Sequence, residues 1–295
     1  MIENLKTIIC EVNLMANITA IILTRNEEKY IGDCIKSLWG VVNRIVVVDS
    51  FSNDHTIEIA KALGAEVYQH EFFNYAKQYL YAVDIANVKT TWIFRIDADE
   101  RLLPKAREEL EKLCNENEMT SVNGIWVRFY NVFLGKALKH GGIYPWKKLS
   151  VYKAGKGTIE DRNMDEHIIL SEGTTISMKE DCEHQAYKSL TFFVNKFNWY
   201  STREAMDYFE QENMESKNES LKTKFKMKVY YRLPMGIRAW IFYIYRYYFR
   251  LGFLDGKEGR IYAFLHAYWY RYLVDAKIYE HEKLGEEFKP TGALK

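Results

Sequence analysis

The stretch Trp92-Ile93-Phe94-Arg95-Ile96-Asp97-Ala98-Asp99-Glu100 decides how this chain is read. An apolar run ends in two carboxylates two residues apart. A strand emerging from a core delivers Asp97 and Asp99 to one place at its carboxyl end, the edge at which open α/β sheets bind ligands. Paired carboxylates there form a hard-oxygen site, suited to Mg²⁺ or Mn²⁺ with a diphosphate as co-ligand. Acidic residues also end buried strands simply because the chain has reached water, so the motif draws its meaning from what surrounds it.

The preceding segments supply that context. Residues 18–23 and 44–48 are short, β-rich and apolar, as buried strands are. The second of them ends at Asp49. Ile31, Ile35 and Leu38 recur at helical spacing within residues 27–38. Ser52-Asn53-Asp54 reads as a turn and cap before an amphipathic helix through Leu63, which Gly64 stops. Residues 66–68 form a third strand, 75–85 a helix, and 91–96 the fourth strand. This β-α-β-α-β-α-β order predicts an α/β fold with a mostly parallel sheet flanked by helices. Right-handed crossovers then bring the ends of the strands, with Thr24, Asp49 and Asp97, to one rim.

Beyond Pro104 the pattern loosens. A charged helix is predicted to about Cys114, strands at 124–133 and 149–152, and a polar loop at 155–167. Residues 168–170 and 174–178 are expected to pair around Ser171-Glu172-Gly173. From Tyr187 onward the chain reads as mainly helical and aromatic. The predicted organisation is an extension (1–17), a catalytic domain (18–186, with a nucleotide-binding half at 18–100 and an acceptor half at 101–186) and a helical region (187–295). Met15 is a candidate start, which would leave 1–14 dispensable.

Composition narrows the function classes. The 295 residues are 48% hydrophobic, enough for a large core, and the formal net charge is +1, so no global field draws nucleic acid. The four cysteines (Cys10, Cys34, Cys114, Cys182) are far apart and read as reduced thiols of a cytoplasmic protein. Glu3, Lys6 and Glu11 interrupt any secretory core near the start. Residues 221–250 carry eight basic residues (Lys222, Lys224, Lys226, Lys228, Arg232, Arg238, Arg246, Arg250) and no acidic one, with aromatics interleaved. That pattern suits the inner face of the cell membrane, as a peripheral contact rather than a span. A helix packed on the core by its aromatics, with its cations in water, explains it as well.

Candidate chemistry sits at the rim. Thr24-Arg25-Asn26-Glu27 could hold a base or ribose, or serve as a helix cap. No Gly-x-Gly-x-x-Gly is present, so a dinucleotide fingerprint is absent. Asp49 could accept a uracil N3–H or a ribose hydroxyl. Lys77, Gln78 and Arg95 could face a diphosphate, although a lysine such as Lys77 is more often a solvated helix residue. Glu166, in Asp165-Glu166-His167, could act as a general base. His184 could complete a metal shell through an imidazole nitrogen.

The joint order of these motifs resembles the family-two inverting glycosyltransferases of GT-A fold, specifically bacterial enzymes of lipopolysaccharide-core and surface-polysaccharide synthesis. It is carried by Ile21-Ile22-Leu23-Thr24-Arg25-Asn26-Glu27-Glu28, by Val46-Val47-Val48-Asp49-Ser50 with Asp54 and Thr56, and by Tyr75-Ala76-Lys77-Gln78. Arg95 to Glu100, Gly141-Gly142-Ile143-Tyr144-Pro145, Met164-Asp165-Glu166-His167, Lys196-Phe197-Asn198-Trp199-Tyr200-Ser201 and Leu251-Gly252-Phe253-Leu254-Asp255-Gly256 complete it. The resemblance implies that Thr24, Asn26, Glu27 and Asp49 hold a nucleotide. Asp97 and Asp99 would form the Asp-x-Asp motif for Mg²⁺ or Mn²⁺, with His184 a further metal-site residue. Glu166 would be the catalytic base. The donor would be a nucleoside-diphosphate sugar, UDP-linked by preference, and the acceptor a glycan or glycolipid. Phe51 stands where a turn glycine is usual, and Phe197 where a histidine is usual. Two other readings stay open: a nucleotidyltransferase making sugar nucleotides, and a non-catalytic, membrane-associated nucleotide-sugar binding protein.

Overall fold

A computed structural model describes residues 16–160, 166–213 and 233–285, with side chains omitted at 210–213. The alternative starts, Cys10, Met164, Asp165, Lys222, Lys224, Lys226, Lys228 and Arg232 lie outside the described residues. The described chain divides into two compact units: residues up to Tyr130 together with Pro145–Gln185, and Asn131–Tyr144 together with Ala186 onward.

The first unit begins with alternating strands and helices: β1 (Ile18–Thr24), α1 (Ile31–Leu38), β2 (Arg44–Asp49), α2 (Thr56–Ala62), β3 (Glu66–Gln69), α3 (Tyr75–Ala86) and β4 (Trp92–Arg95). β3, β2, β1 and β4 lie side by side and every pairing among them is parallel. The apolar runs are buried on both faces because successive side chains point to opposite sides. Ile18, Ala20, Ile22, Trp92 and Phe94 join a core with Ile31, Cys34, Ile35 and Leu38 of α1. Ile21, Val46, Val48 and Ile93 face the other way, against Ala76, Tyr79, Ala82 and Ala86 of α3. Arg95 shares the face of Ile93 by the same alternation, and its guanidinium lies over the rings of Tyr75 and Tyr79. α3 is held at its start by Asn74, whose side chain accepts from Lys77 N at 2.8 Å, and at its end by Asn87 in the left-handed conformation.

The sheet continues differently past β4. β5 (Glu100–Leu102), α4 (Pro104–Asn117), β6 (Val122–Phe133), β7 (Lys136–Leu138), β8 (Trp146–Lys153), β9 (Gly157–Ile159), β10 (Ile168–Leu170) and β11 (Thr174–His184) follow. The strand order is β3-β2-β1-β4-β8-β6-β11-β5, with β7 beside β6. The α/β class stands, but parallel pairing stops at β4; β4–β8, β6–β8 and β5–β11 are antiparallel. β10 pairs with β9, not with β11 as expected. The turn at Ser171–Gly173 docks on the start of β6 instead: Thr174 N donates to Ser121 O at 2.9 Å and Asn123 Nδ2 to Glu172 O at 3.0 Å. Gly173, at φ +86°, leaves no room there for a Cβ.

In the second unit the hairpin of residues 131–138 and the helices α5 (Leu190–Asn213), α6 (Ile237–Ile244), α7 (Gly256–Tyr262) and α8 (Tyr270–Leu284) surround an aromatic core. Phe133, Phe193, Phe197 and Tyr262 pack ring against ring. Phe197, standing where a histidine was expected by resemblance, is buried in this cluster. π-helical turns follow α6 (Tyr245–Phe249) and α7 (Ala263–Trp269). Cys34, Cys114 and Cys182 are buried and free.

Candidate active site

The sequence Asp97-Ala98-Asp99-Glu100 turns tightly between β4 and β5. Glu100 N donates to Asp97 O at 2.9 Å, and Asp97 N donates back to Glu100 Oε2 at 3.0 Å. Pairing of β5 with β11 puts His184 opposite Glu100, and Gln185 N fixes Asp99 O at 2.8 Å. His184 Nε2 consequently lies 3.5 Å from Asp99 Oδ2, with Trp146 packed against its ring. Burial opposes charge on this imidazole, but the Asp99 carboxylate beside it raises its pKa overall.

Asp97 answers to other partners. Tyr75 donates its hydroxyl to Oδ1 at 2.6 Å, and Lys148 of β8 meets Oδ2 at 2.9 Å. Lys148 also donates to the fully buried Glu100 at 2.6 Å. Burial alone would push the Asp97 carboxyl up, but Lys148, Arg95 and the Tyr75 hydrogen bond outweigh it and hold the group well below the usual carboxylate range. Glu100 is pushed up by burial and by Asp97, against the pull of Lys148. Two acids thus share one ammonium. Arg95 Nε donates to Tyr75 Oη at 3.1 Å and its Nη1 to the backbone carbonyl of Glu166 at 3.1 Å. The Asp97 network is in this way tied to the loop that carries Glu166.

The two loops after β1 and β2 are latched together. Asp49 is fully buried, and its carboxylate accepts from Ser52 N at 2.8 Å and from the Ser52 hydroxyl. Ser52 Oγ accepts from Asn26 N at 2.8 Å, Asn26 Oδ1 from Asn53 N at 2.8 Å, and Thr56 Oγ1 from Glu27 N at 2.7 Å. Asn26 and Phe51 both adopt positive φ, +54° and +55°. The Thr24 hydroxyl is buried and has no protein partner among the described residues. Such an atom at the carboxyl end of a strand is most simply satisfied by water or ligand.

A family model described as Glycosyl transferase family 2 matches residues 19–183, more than half of the chain. The chain belongs to glycosyl transferase family 2. An uncharacterised glycosyltransferase of Rickettsia felis is 26% identical over 260 residues, covering 85% of this chain and 87% of its own. A lipopolysaccharide core biosynthesis glycosyltransferase, LpsC of Rhizobium meliloti, is 27% identical over 281 residues, 90% and 93% of the two chains. Among solved structures, glucosyl-3-phosphoglycerate synthase of Mycobacterium tuberculosis in complex with Mn²⁺ and UDP is similar over 45% of this chain and 48% of its own, with 20% identity and a TM-score of 0.32.

In this glycosyltransferase, Thr24 ends β1 and Asp49 ends β2, Asn26 and Glu27 lie on the latched loop after β1, Asp97 and Asp99 on the turn between β4 and β5, and His184 at the end of β11. Lys77 is exposed over the Phe73 ring, and Gln78 is buried between Ser50 and His70. No cluster of three or more His, Cys, Asp or Glu among the described residues is placed to hold a metal ion. Asp99 pairs with His184, and Asp97 with Lys148. Sequence reasoning gave no role to Lys148, Tyr75 or Glu100. The signal for Lys148 was a lysine at the head of the apolar strand Leu149 to Tyr152, where lysine is rarely buried without an acid.

Proposed function

We propose that this family 2 enzyme moves a sugar, with inversion, from a nucleoside-diphosphate sugar to a hydroxyl of a lipopolysaccharide or other cell-surface glycan or glycolipid. The observation that carries the reading is the Asp99–His184 pair, brought together by β5–β11 pairing beside Asp97 on the carboxyl side of β4, in a chain whose family transfers glycosyl groups. The likeness to LpsC supports the acceptor class. UDP is preferred because Asp49 ends β2, where a carboxylate suits uracil or ribose.

Asp99 and His184 fit a divalent cation. Neighbouring ligands on an octahedral ion with bonds near 2.1 Å lie about 3 Å apart, and these two donors stand 3.5 Å apart with both side chains partly open to solvent. Mg²⁺ or Mn²⁺ held there would neutralise charge on the leaving diphosphate. Asp97, its charge matched by Lys148 inside the protein, is suited to accept a hydroxyl of the donor. Thr24 and Asn26 contact the nucleoside. Glu166 takes the proton of the acceptor hydroxyl as that oxygen attacks the anomeric carbon, and back-side attack inverts the configuration there. Arg95, by gripping the Glu166 carbonyl, is the positioning residue for that base.

A thermal-shift screen of UDP-, GDP- and dTDP-sugars with and without Mn²⁺ tests the donor. Stabilisation by one nucleotide class, dependent on the ion, is the expected result. Equal shifts with every nucleotide, or none with any, would remove the assignment.

A further inference from the structure

The helix α6 and the π-helical turn after it are amphipathic in the inverted sense. Arg238 and Arg246 point inward: Arg238 pairs with buried Asp275, and Arg246 donates to Gly141 O at 2.7 Å and meets His266 Nδ1 at 2.8 Å. The outward face, at the helical spacing i, i+3, i+4, i+7, carries Ile237, Trp240, Ile241 and Ile244, and then Tyr248. Trp240 is 52% exposed, Ile241 56% and Phe249, at the tip, 75%. A helix packed for water alone does the opposite.

This face is continuous with its neighbour. Trp240 meets Tyr268 at 5.1 Å, and Tyr268 meets Phe264 at 5.6 Å and Tyr272 at 5.9 Å. Phe253 and Leu254 extend it past the tip, and both are exposed. Contiguous apolar surface on this scale marks an interaction site. Its chemistry narrows the partner. Residues 233–254 include no acid, and Arg250, Lys257 and Arg260 are exposed beside the face. Trp and Tyr with flanking cations match the headgroup level of a bilayer. No described helix is long and apolar enough to cross a membrane, so the face suits lying in the interface. A two-fold contact with a second copy would bring these cations toward their own equivalents, and Glu258 beside them is already paired with Lys136.

We propose that this face of the second unit docks on an anionic lipid surface, with Trp240, Ile241, Phe249 and Leu254 at the acyl boundary and Arg250, Lys257 and Arg260 against lipid phosphates. The proposal stands apart from the catalytic reading and needs no activity to test.

The test is co-sedimentation of the full chain with phosphatidylcholine vesicles, with and without phosphatidylglycerol. The wild type should pellet with the anionic vesicles, and raised salt should release it. The triple variant Ile241→Glu/Phe249→Glu/Leu254→Glu replaces only exposed side chains, and its binding should fall about a hundredfold or more. Should that variant fail to fold by thermal melting, Arg250→Glu/Lys257→Glu/Arg260→Glu serves, with a loss of about fivefold for each cation removed. Wild type left in the supernatant with both vesicle types would overturn the proposal. So would undiminished binding by the folded variants, or a concentration-dependent dimer that they abolish in a chain that ignores lipid.

Discussion

Two buried cations, one in each unit, live under opposite electrostatic regimes. Lys148 lies between two carboxylates, Asp97 and Glu100; burial disfavours its charge, but the acids more than offset this and raise its pKa. Among the described residues Arg246 has a carbonyl and an imidazole for partners and no acid; burial lowers its pKa, and Arg271 and Arg250 add to the effect. The first arrangement fixes the charge beside the turn proposed to receive the donor. The second gives up ionic compensation where the chain turns its aromatics outward.

The largest expected effect is on chemistry. Glu166→Gln should lower transfer about 10²–10⁴-fold while leaving donor binding intact. Steady-state assays beside calorimetry read both, and full activity in this variant would reject Glu166 as the base. Lys148→Met should come next, because it strands the buried Glu100 and the half-buried Asp97, at a cost of about 3–5 kcal/mol. Arg246→Met leaves no carboxylate behind, so its cost in urea unfolding should be clearly smaller. Equal losses in the two variants would break the comparison.

The parallel half of the fold was legible because its strands are short apolar runs separated by helices with clear periods. Thr24, Asp49 and Asp97 share an edge for that reason alone. The antiparallel half was less legible. Ile168–Leu170 is three residues long, and nothing local shows that Gly157–Ile159 pairs with it while the Ser171–Gly173 turn docks on Ser121 and Asn123. Of the candidate site, Asp99 and His184 were named together, and β5–β11 pairing brings them into contact. The Tyr75–Asp97–Lys148–Glu100 network was not read, since it joins α3, the turn and β8 through pairings that periodicity does not encode.

His266 sharpens the contrast between the units. Burial pushes its pKa well below the usual histidine value, with Arg246 and Arg271 adding to the effect. The unfolded chain therefore binds the proton first. Stability from neutral His266 is complete above the unfolded pKa near 6.5 and is lost progressively as pH falls from neutrality through it and below. Melting curves across that range should flatten in His266→Phe; an unchanged slope would remove the assignment. The smallest effect belongs to Phe51, exposed and at φ +55°. Phe51→Gly should relieve left-handed strain of about 1 kcal/mol and raise the melting temperature slightly.

The most direct measurement is calorimetric titration of UDP into wild type and Asp99→Ala, each with Mn²⁺ and with chelator. The account predicts binding to wild type that depends on the ion and is lost in Asp99→Ala. Equal affinity in all four titrations would contradict it.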